Sequence, residues 1–460
     1  MDYDVVIIGA GMSGLAAGIR LAHFGRRVLI LERHRLVGGL NSYYRRGGRE
    51  FDVGLHAMTN FPDPQARSAP LNKLLRQLRL RLDDLDLCEQ TCSTVRFPGA
   101  ELRFTNRFPD LEASVAAAFP DQIDGFRKLV ACIRAHDSLS LTAQPAPTRP
   151  VLRQFISNPL LEDMILCPLM YYGNAEPHDM EFNQFCIMFQ SIFLEGFCRP
   201  RRGIRHLLDL LLNRYRESGG ELRTGCGVRS ICTQAGAVSE LVLDDGATLR
   251  PAAVMSCAGY VETLQLCEPP PADAHNHAVG ELAFVESIFV LDRPAADLGF
   301  GICITFFNDA ERFVYARATE PVDYRSGVLC VPGNFAGMDA GTGESIVRLT
   351  HQADHGAWMA LGEDEYRGAK QQVLARQQAT LDRQFPGFAS HVVATDMFTP
   401  RTILRYTGHL NGTVYGSPAK RRDGTTPVRN LFICGTDQGF LGIVGSMLSG
   451  VSMANYHLMK

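Results

Sequence analysis

Near its start the chain reads Asp4-Val5-Val6-Ile7-Ile8-Gly9-Ala10-Gly11-Met12-Ser13-Gly14, an apolar strand running straight into a glycine fingerprint. Each glycine has a physical role. Gly9 permits a tight turn, Gly11 lets the backbone come close to a pyrophosphate, and Gly14 lets the following helix pack onto its strand. The helix N-terminus, with Met12 and Ser13 in its first turn, then offers N–H groups and a positive dipole end to phosphates. The next strand, Val28-Leu29-Ile30-Leu31, ends at Glu32, at the separation where an acid accepts hydrogen bonds from an adenosine ribose. Together these features predict a Rossmann-like βαβ unit that binds a dinucleotide. A glycine-rich turn without ligand is the plain alternative.

The residues after Glu32 narrow the dinucleotide. The run Glu32-Arg33-His34-Arg35-Leu36-Val37-Gly38-Gly39-Leu40-Asn41 carries a second glycine turn, and Glu50-Phe51-Asp52-Val53-Gly54-Leu55-His56 comes soon after. A simple nicotinamide dehydrogenase needs no such second turn. A flavin does, because its pyrophosphate and ribityl chain run on past the first fingerprint. Near the C-terminus, Asn430-Leu431-Phe432-Ile433-Cys434-Gly435-Thr436-Asp437 reads as a buried strand ending in Gly and an acid. A small-residue helix through Gly442, Ile443 and Val444 comes next. This suits Asp437 on the ribityl hydroxyls and a helix N-terminus aimed at the carbonyl edge of the flavin ring. The three segments point to FAD.

On these residues the chain resembles the flavin amine oxidase superfamily, and within it the branch of phytoene desaturases, carotenoid isomerases and retinol saturases. The resemblance rests on Val6–Gly14, Glu32–Gly39, Phe51–His56, the Pro200–Gly203 turn and Thr399–Gly450, including Thr399-Pro400-Arg401, Tyr406 and Gly412-Thr413-Val414-Tyr415-Gly416. It implies an α/β fold, with a Rossmann-like FAD-binding domain of amine oxidase type and a discontinuous α+β substrate domain. The FAD-binding domain is expected to take 1–70, 200–268 and 396–460, and the substrate-binding domain 71–199 and 269–395. The implied FAD contacts are Gly9, Gly11, Met12, Ser13, Gly14, Glu32, Arg33, Gly38, Gly39, Leu40, Asn41, Leu55, His56, Val228 (whose backbone would meet the adenine), Gly435, Asp437, Gly442, Ile443 and Val444. His56 lies in the loop that the family folds near the isoalloxazine. With Tyr406 and Tyr415 it is a candidate for catalysis, or for no more than hydrogen bonding to the flavin.

Composition agrees with an ordinary folded protein. At 460 residues the chain exceeds one compact core. A net charge of −3 without a basic run gives no footprint for nucleic acid. The thirteen cysteines show no CxxC pair, and many sit in apolar runs, as buried reduced thiols in a cytoplasmic protein do. Asp2 and Asp4 stand where a signal peptide would be basic. Gln438–Leu458 lacks Asp, Glu, Lys and Arg, but its glycines and serines suit a cofactor-facing helix better than a membrane span.

Between the ends, Leu71, Leu74, Leu75 and Leu78 begin a helical pattern that continues over Ser114–Ala135, broken at Phe119-Pro120. Thr142–Pro150 reads as a proline-rich linker. Leu160–Tyr172 and Phe182–Phe197 are strongly apolar. They predict either two core helices or, on one face, a tunnel for an elongated apolar ligand. Arg199, Arg201 and Arg202 would then sit at a tunnel mouth against a membrane, by peripheral contact, or in a solvated turn. Ile204–Ser218 predicts an amphipathic helix, and Phe284–Leu291, Gly301–Phe307 and Gly327–Val331 predict strands. His351 and His355 have metal-compatible i, i+4 spacing but no third ligand in a zinc pattern. A solvated helix start is expected there, and no metal.

The chemistry implied is hydride transfer at flavin N5 to or from an isoprenoid or other polyunsaturated lipid, by desaturation, saturation or cis/trans isomerisation. Two other readings stay open. One is an amine oxidase-like enzyme on a small polar substrate, although the lone Trp358 falls outside the motifs. The other is a prenyl-binding carrier of the same fold without catalysis.

Overall fold

The computed structural model describes residues 2–63, 66, 68–138, 144–271, 277–338 and 343–459. Strand β1 (Val5–Ile8), helix α1 (Met12–His23) and strand β2 (Val28–Glu32) form the predicted βαβ unit. All residues of both strands are buried, as in a parallel sheet covered on both faces. Three further strands, Glu221–Thr224, Ala253–Ser256 and Leu431–Ile433, complete a five-stranded parallel sheet in which β1 is central. The fold is therefore α/β.

Helix α1 is buried for most of its length, because α2 (Gly442–Met453) lies across it. The small residues of both helices allow that approach. A Cβ on Gly450 would stand 2.0 Å from the Ser13 carbonyl oxygen. Gly450→Ala is accordingly expected to lower stability by about 1–3 kcal/mol through overpacking, read as a fall in Tm; an unchanged Tm would refute this close contact.

A seven-stranded sheet forms the second layer of structure. Its order is Val392–Phe398, β3 (Ala283–Leu291), β4 (Ser345–Ala353), Val322–Cys330, Ile304–Asn308, Ser93–Phe97 and Ala100–Phe104. Its pairs are antiparallel except that between Ile304–Asn308 and Ser93–Phe97. Helices Phe108–Ala118, Ile123–Ala135, Pro159–Gly173 and Phe182–Phe189 contribute to a large core beside it.

Several local expectations are corrected. The region after residue 71 is not all helical, since it supplies Ser93–Phe97 and Ala100–Phe104. His351 is not in a solvated helix. It is buried in β4, and its Nδ1 pairs with the Ser326 carbonyl at 2.8 Å. The helix begins only at His355, where Asp354 caps it by accepting from Gly356 N–H. Within the proline-rich linker, Thr148–Leu152 is a short helix, while Thr142 and Ala143 lie outside the described residues. No helix among the described residues is long and apolar enough to cross a membrane.

Candidate active site

A cavity of about 610 Å³ opens at the C-terminal ends of the parallel strands, where doubly wound sheets bind their ligands. Its walls include Gly9, Gly11, Met12, Ser13, Glu32, Arg33, Gly38, Gly39, Leu40, Asn41, His56, Val228, Tyr415, Gly442 and Ile443. The expected FAD segments thus converge on one space.

The residues present fit an anionic dinucleotide. Both α1 and α2 open without a side-chain cap, and the first residues of each line the cavity. A Cβ placed on Gly11 or Gly442 meets nothing within 4 Å, so open space lies before both helix N-termini, as a pyrophosphate and a flavin carbonyl edge require. Gly38, at φ +111°, bridges to Gly11 in the turn that sequence reasoning found. Glu32 accepts from the N–H groups of Ala10 and His34, each at 2.8 Å. Its carboxylate is thereby fixed in the wall with lone pairs left for a ribose. Gly11→Val is expected to leave the fold intact, because the new side chain enters only the cavity, and to abolish FAD retention. Full flavin content in the purified variant would contradict this placement.

Five predicted contacts lie outside the cavity wall. Gly14 acts through packing, for its Cβ would stand 2.1 Å from the Gly9 carbonyl. Val444 is buried in the core, and Gly435 N–H donates to Ser449 Oγ at 2.8 Å. The Leu55 carbonyl accepts from Arg199 and Arg348. Asp437, 2% exposed, accepts from Tyr260 N–H at 2.7 Å and Ser417 N–H at 2.9 Å, with Lys420 Nζ at 3.6 Å. Asp437 thus joins three segments, and Thr436, one residue earlier, faces the cavity. Tyr406 is 48% exposed and sets its ring edge-on to His34, at 5.4 Å. It lines the same cavity as His56, beside the Glu32 and Arg33 segment.

His56 belongs to a buried polar group that the sequence did not reveal. Its Nε2 lies 2.9 Å from Glu286 Oε2 and 3.3 Å from Thr350 Oγ1. Arg348 Nε donates to Glu286 Oε1 at 2.5 Å, and its two Nη atoms donate to the carbonyls of Asp52, Val53 and Leu55. Burial pushes the Glu286 carboxyl up, but Arg348 and His56 more than offset this and hold it at about 2. An ionised carboxylate only accepts, so His56 Nε2 carries the proton it shares with Glu286. In the neutral ring Nδ1 is then the basic nitrogen, and it has no hydrogen-bond partner among the described residues.

Register explains why this group was hidden: Glu286 pairs with Thr350 and Ile288 with Arg348 across β3 and β4. The only signals were single charged residues in otherwise apolar strands. Arg199 is likewise corrected. It is buried, bonded to Asp52 and to the Leu55 and His56 carbonyls, not set at a membrane surface.

Beside His56 the cavity is aromatic and apolar, lined by Tyr171, Tyr172, Phe284, Val328, Val414 and Tyr415. Tyr415 Oη donates to the Tyr171 carbonyl at 2.5 Å. Tyr172, which sequence reasoning passed over, packs its ring 6.4 Å from the His56 ring, and its buried hydroxyl has no partner among the described residues. Burial raises its phenol well above the usual value, so it stands neutral. The rest of the long apolar stretch is core: Met164, Met170, Phe185, Phe189, Phe193 and Phe197 are all buried away from the cavity.

Comparison with known proteins now decides the family. A profile described as flavin containing amine oxidoreductase matches residues 12–305. The chain belongs to that family. It is 24% identical over 98% of its length to prolycopene isomerase of Arabidopsis thaliana, covering 82% of that protein. It is 21% identical over its full length to all-trans-retinol 13,14-reductase of Danio rerio, covering 86% of it. In fold it is similar to an oxidoreductase from Methanosarcina mazei, with a TM-score of 0.70 at 16% identity, over 98% of this chain and 99% of that one. This amine oxidase superfamily member is thus an FAD-dependent oxidoreductase whose relatives include carotenoid- and retinoid-modifying enzymes. That sets aside the non-catalytic carrier.

Proposed function

We propose that this protein rearranges, removes or adds carbon–carbon double bonds in an isoprenoid or other polyunsaturated lipid. The observation that carries the reading is one juxtaposition: a single carboxylate-held imidazole faces an aromatic, apolar lobe of the cavity. Bound FAD supplies two-electron exchange with a substrate carbon. Gly9, Gly11, Met12, Ser13, Glu32, Arg33, Gly38, Gly39, Leu40, Asn41, Val228, Gly442 and Ile443 are the residues proposed to hold it. The apolar wall orients the chain and excludes water. His56 Nδ1 takes a proton from the carbon next to the reacting one, or returns it in the opposite direction, while Glu286 stabilises the charged ring. Tyr172 is placed to donate a hydrogen bond in the same lobe.

The full-length similarity to an isomerase and a reductase of polyenes supports this substrate class. The test is to purify the protein in detergent and identify its bound small molecules by mass spectrometry. A co-purified polyene or prenyl lipid is expected. Flavin with no lipid, together with peroxide release on adding amines, would move the assignment to a small polar substrate.

A further inference from the structure

Beside the main cavity lies a second, of about 490 Å³. The two are walled by successive residues of the same segments. Tyr172 lines the first and Gly173–Glu176 the second; Thr436 lines the first and Gln438 the second; Leu441 faces both. Their chemistry differs sharply.

Most charges of the second cavity are already engaged. Arg422 pairs with Glu181, which also caps the helix Phe182–Phe189. Lys420 donates to the Tyr415 carbonyl and lies by Asp437. Arg421 packs over the Tyr260 ring, 4.4 Å from its centroid. Two side chains here offer acceptors to a ligand. The Glu176 carboxyl makes no hydrogen bond among the described residues, and burial raises its pKa. Gln438 is 2% exposed; its Nε2 donates to the Arg422 carbonyl at 2.7 Å, while its buried Oε1 has no partner among the described residues. A buried acceptor left unmade, as Gln438 Oε1 is, is costly, and a ligand bearing donors would satisfy it and pair with the half-buried Glu176 carboxyl.

We propose that this cavity seats the end group of the substrate, an alcohol that donates its one O–H to Glu176 or an amine that donates to both Glu176 and Gln438, while its apolar chain runs past Leu441 toward His56. The inference rests on the polyene reading of the main cavity and narrows it from polyenes at large to polyenes with a donor-bearing end.

The test uses the FAD-loaded protein and equilibrium binding of four probes in one detergent: all-trans-retinol, retinylamine, retinyl acetate and lycopene. The alcohol, the amine or both are expected to bind about tenfold or more tightly than the acetate, which keeps the chain but loses the donor. Which of the two gains identifies the end group. Glu176→Ala should bring that probe down to the level of the acetate, and Gln438→Leu should weaken the amine, with acetate binding unchanged. Glu176 is only half-buried and lacks side-chain partners among the described residues, so its variant carries the test even if the Gln438 variant fails to fold. Equal affinity for retinol, retinylamine and retinyl acetate, or no effect of Glu176→Ala, would overturn the end-group site alone. If lycopene and the three retinoids all fail to bind, the polyene reading falls as well.

Discussion

Arg348→Met is expected to destabilise the protein by about 3–5 kcal/mol, because it strands a buried carboxylate. The Arg348 side chain is 3% exposed and answers Glu286 together with three carbonyls of the Asp52–Leu55 segment. Without it Glu286 keeps only His56 and the Thr350 hydroxyl, neither of which balances its charge as the guanidinium does, and the loop that presents His56 loses its anchor to β4. Chemical denaturation of the variant measures the loss. Adding Glu286→Leu removes the stranded charge and should recover a large part of the stability. A single variant within about 1 kcal/mol of the parent would refute the role given to this pair.

The same pair sets a pH dependence of definite sign. The Glu286 carboxyl falls from the ordinary 4.5 to about 2 on folding. A depressed carboxylate contributes stability that is fully present above its ordinary value and is lost as pH falls toward the folded one. The contribution is on the order of 3 kcal/mol. Stability flat across that acid range would contradict it.

His56→Ala is expected to retain FAD and the parental fold but to lower turnover by roughly 10²–10⁴-fold, the range for loss of a general acid–base group. The residue sits in a loop, and the partners of its ring and carbonyl come from β3, β4 and the Arg199 segment. Those partners remain in the variant, so folding should survive. Steady-state kinetics beside the flavin absorbance of the purified variant separates the two effects. Full turnover would reduce His56 to a packing residue.

The reach of the sequence alone depends on where the information sits. The βαβ unit was legible because strand, glycine turns, helix and acid are local, and all of them meet at the cavity. Asp437 stands after a glycine in the expected way but turns toward Tyr260 and Ser417, which lie far from it in sequence. His351 and His355 carry helical spacing, yet they straddle the end of β4 and the start of a helix. The Glu286, Arg348 and Thr350 group exists only through antiparallel register between strands about sixty residues apart, which no local pattern encodes. Tyr172 was hidden in a run of core side chains, where helical position alone decides which residue faces the cavity.

The most direct test of the central claim is anaerobic incubation of the FAD-loaded protein, with and without chemical reduction, with prolycopene and with all-trans-retinol. Products are tracked by the polyene absorption bands and by mass. The account predicts conversion of at least one polyene, by isomerisation or by gain or loss of two hydrogens, and loss of that conversion in His56→Ala. Flavin-loaded protein that leaves every polyene unchanged, while oxidising an amine with release of peroxide in air, would contradict it.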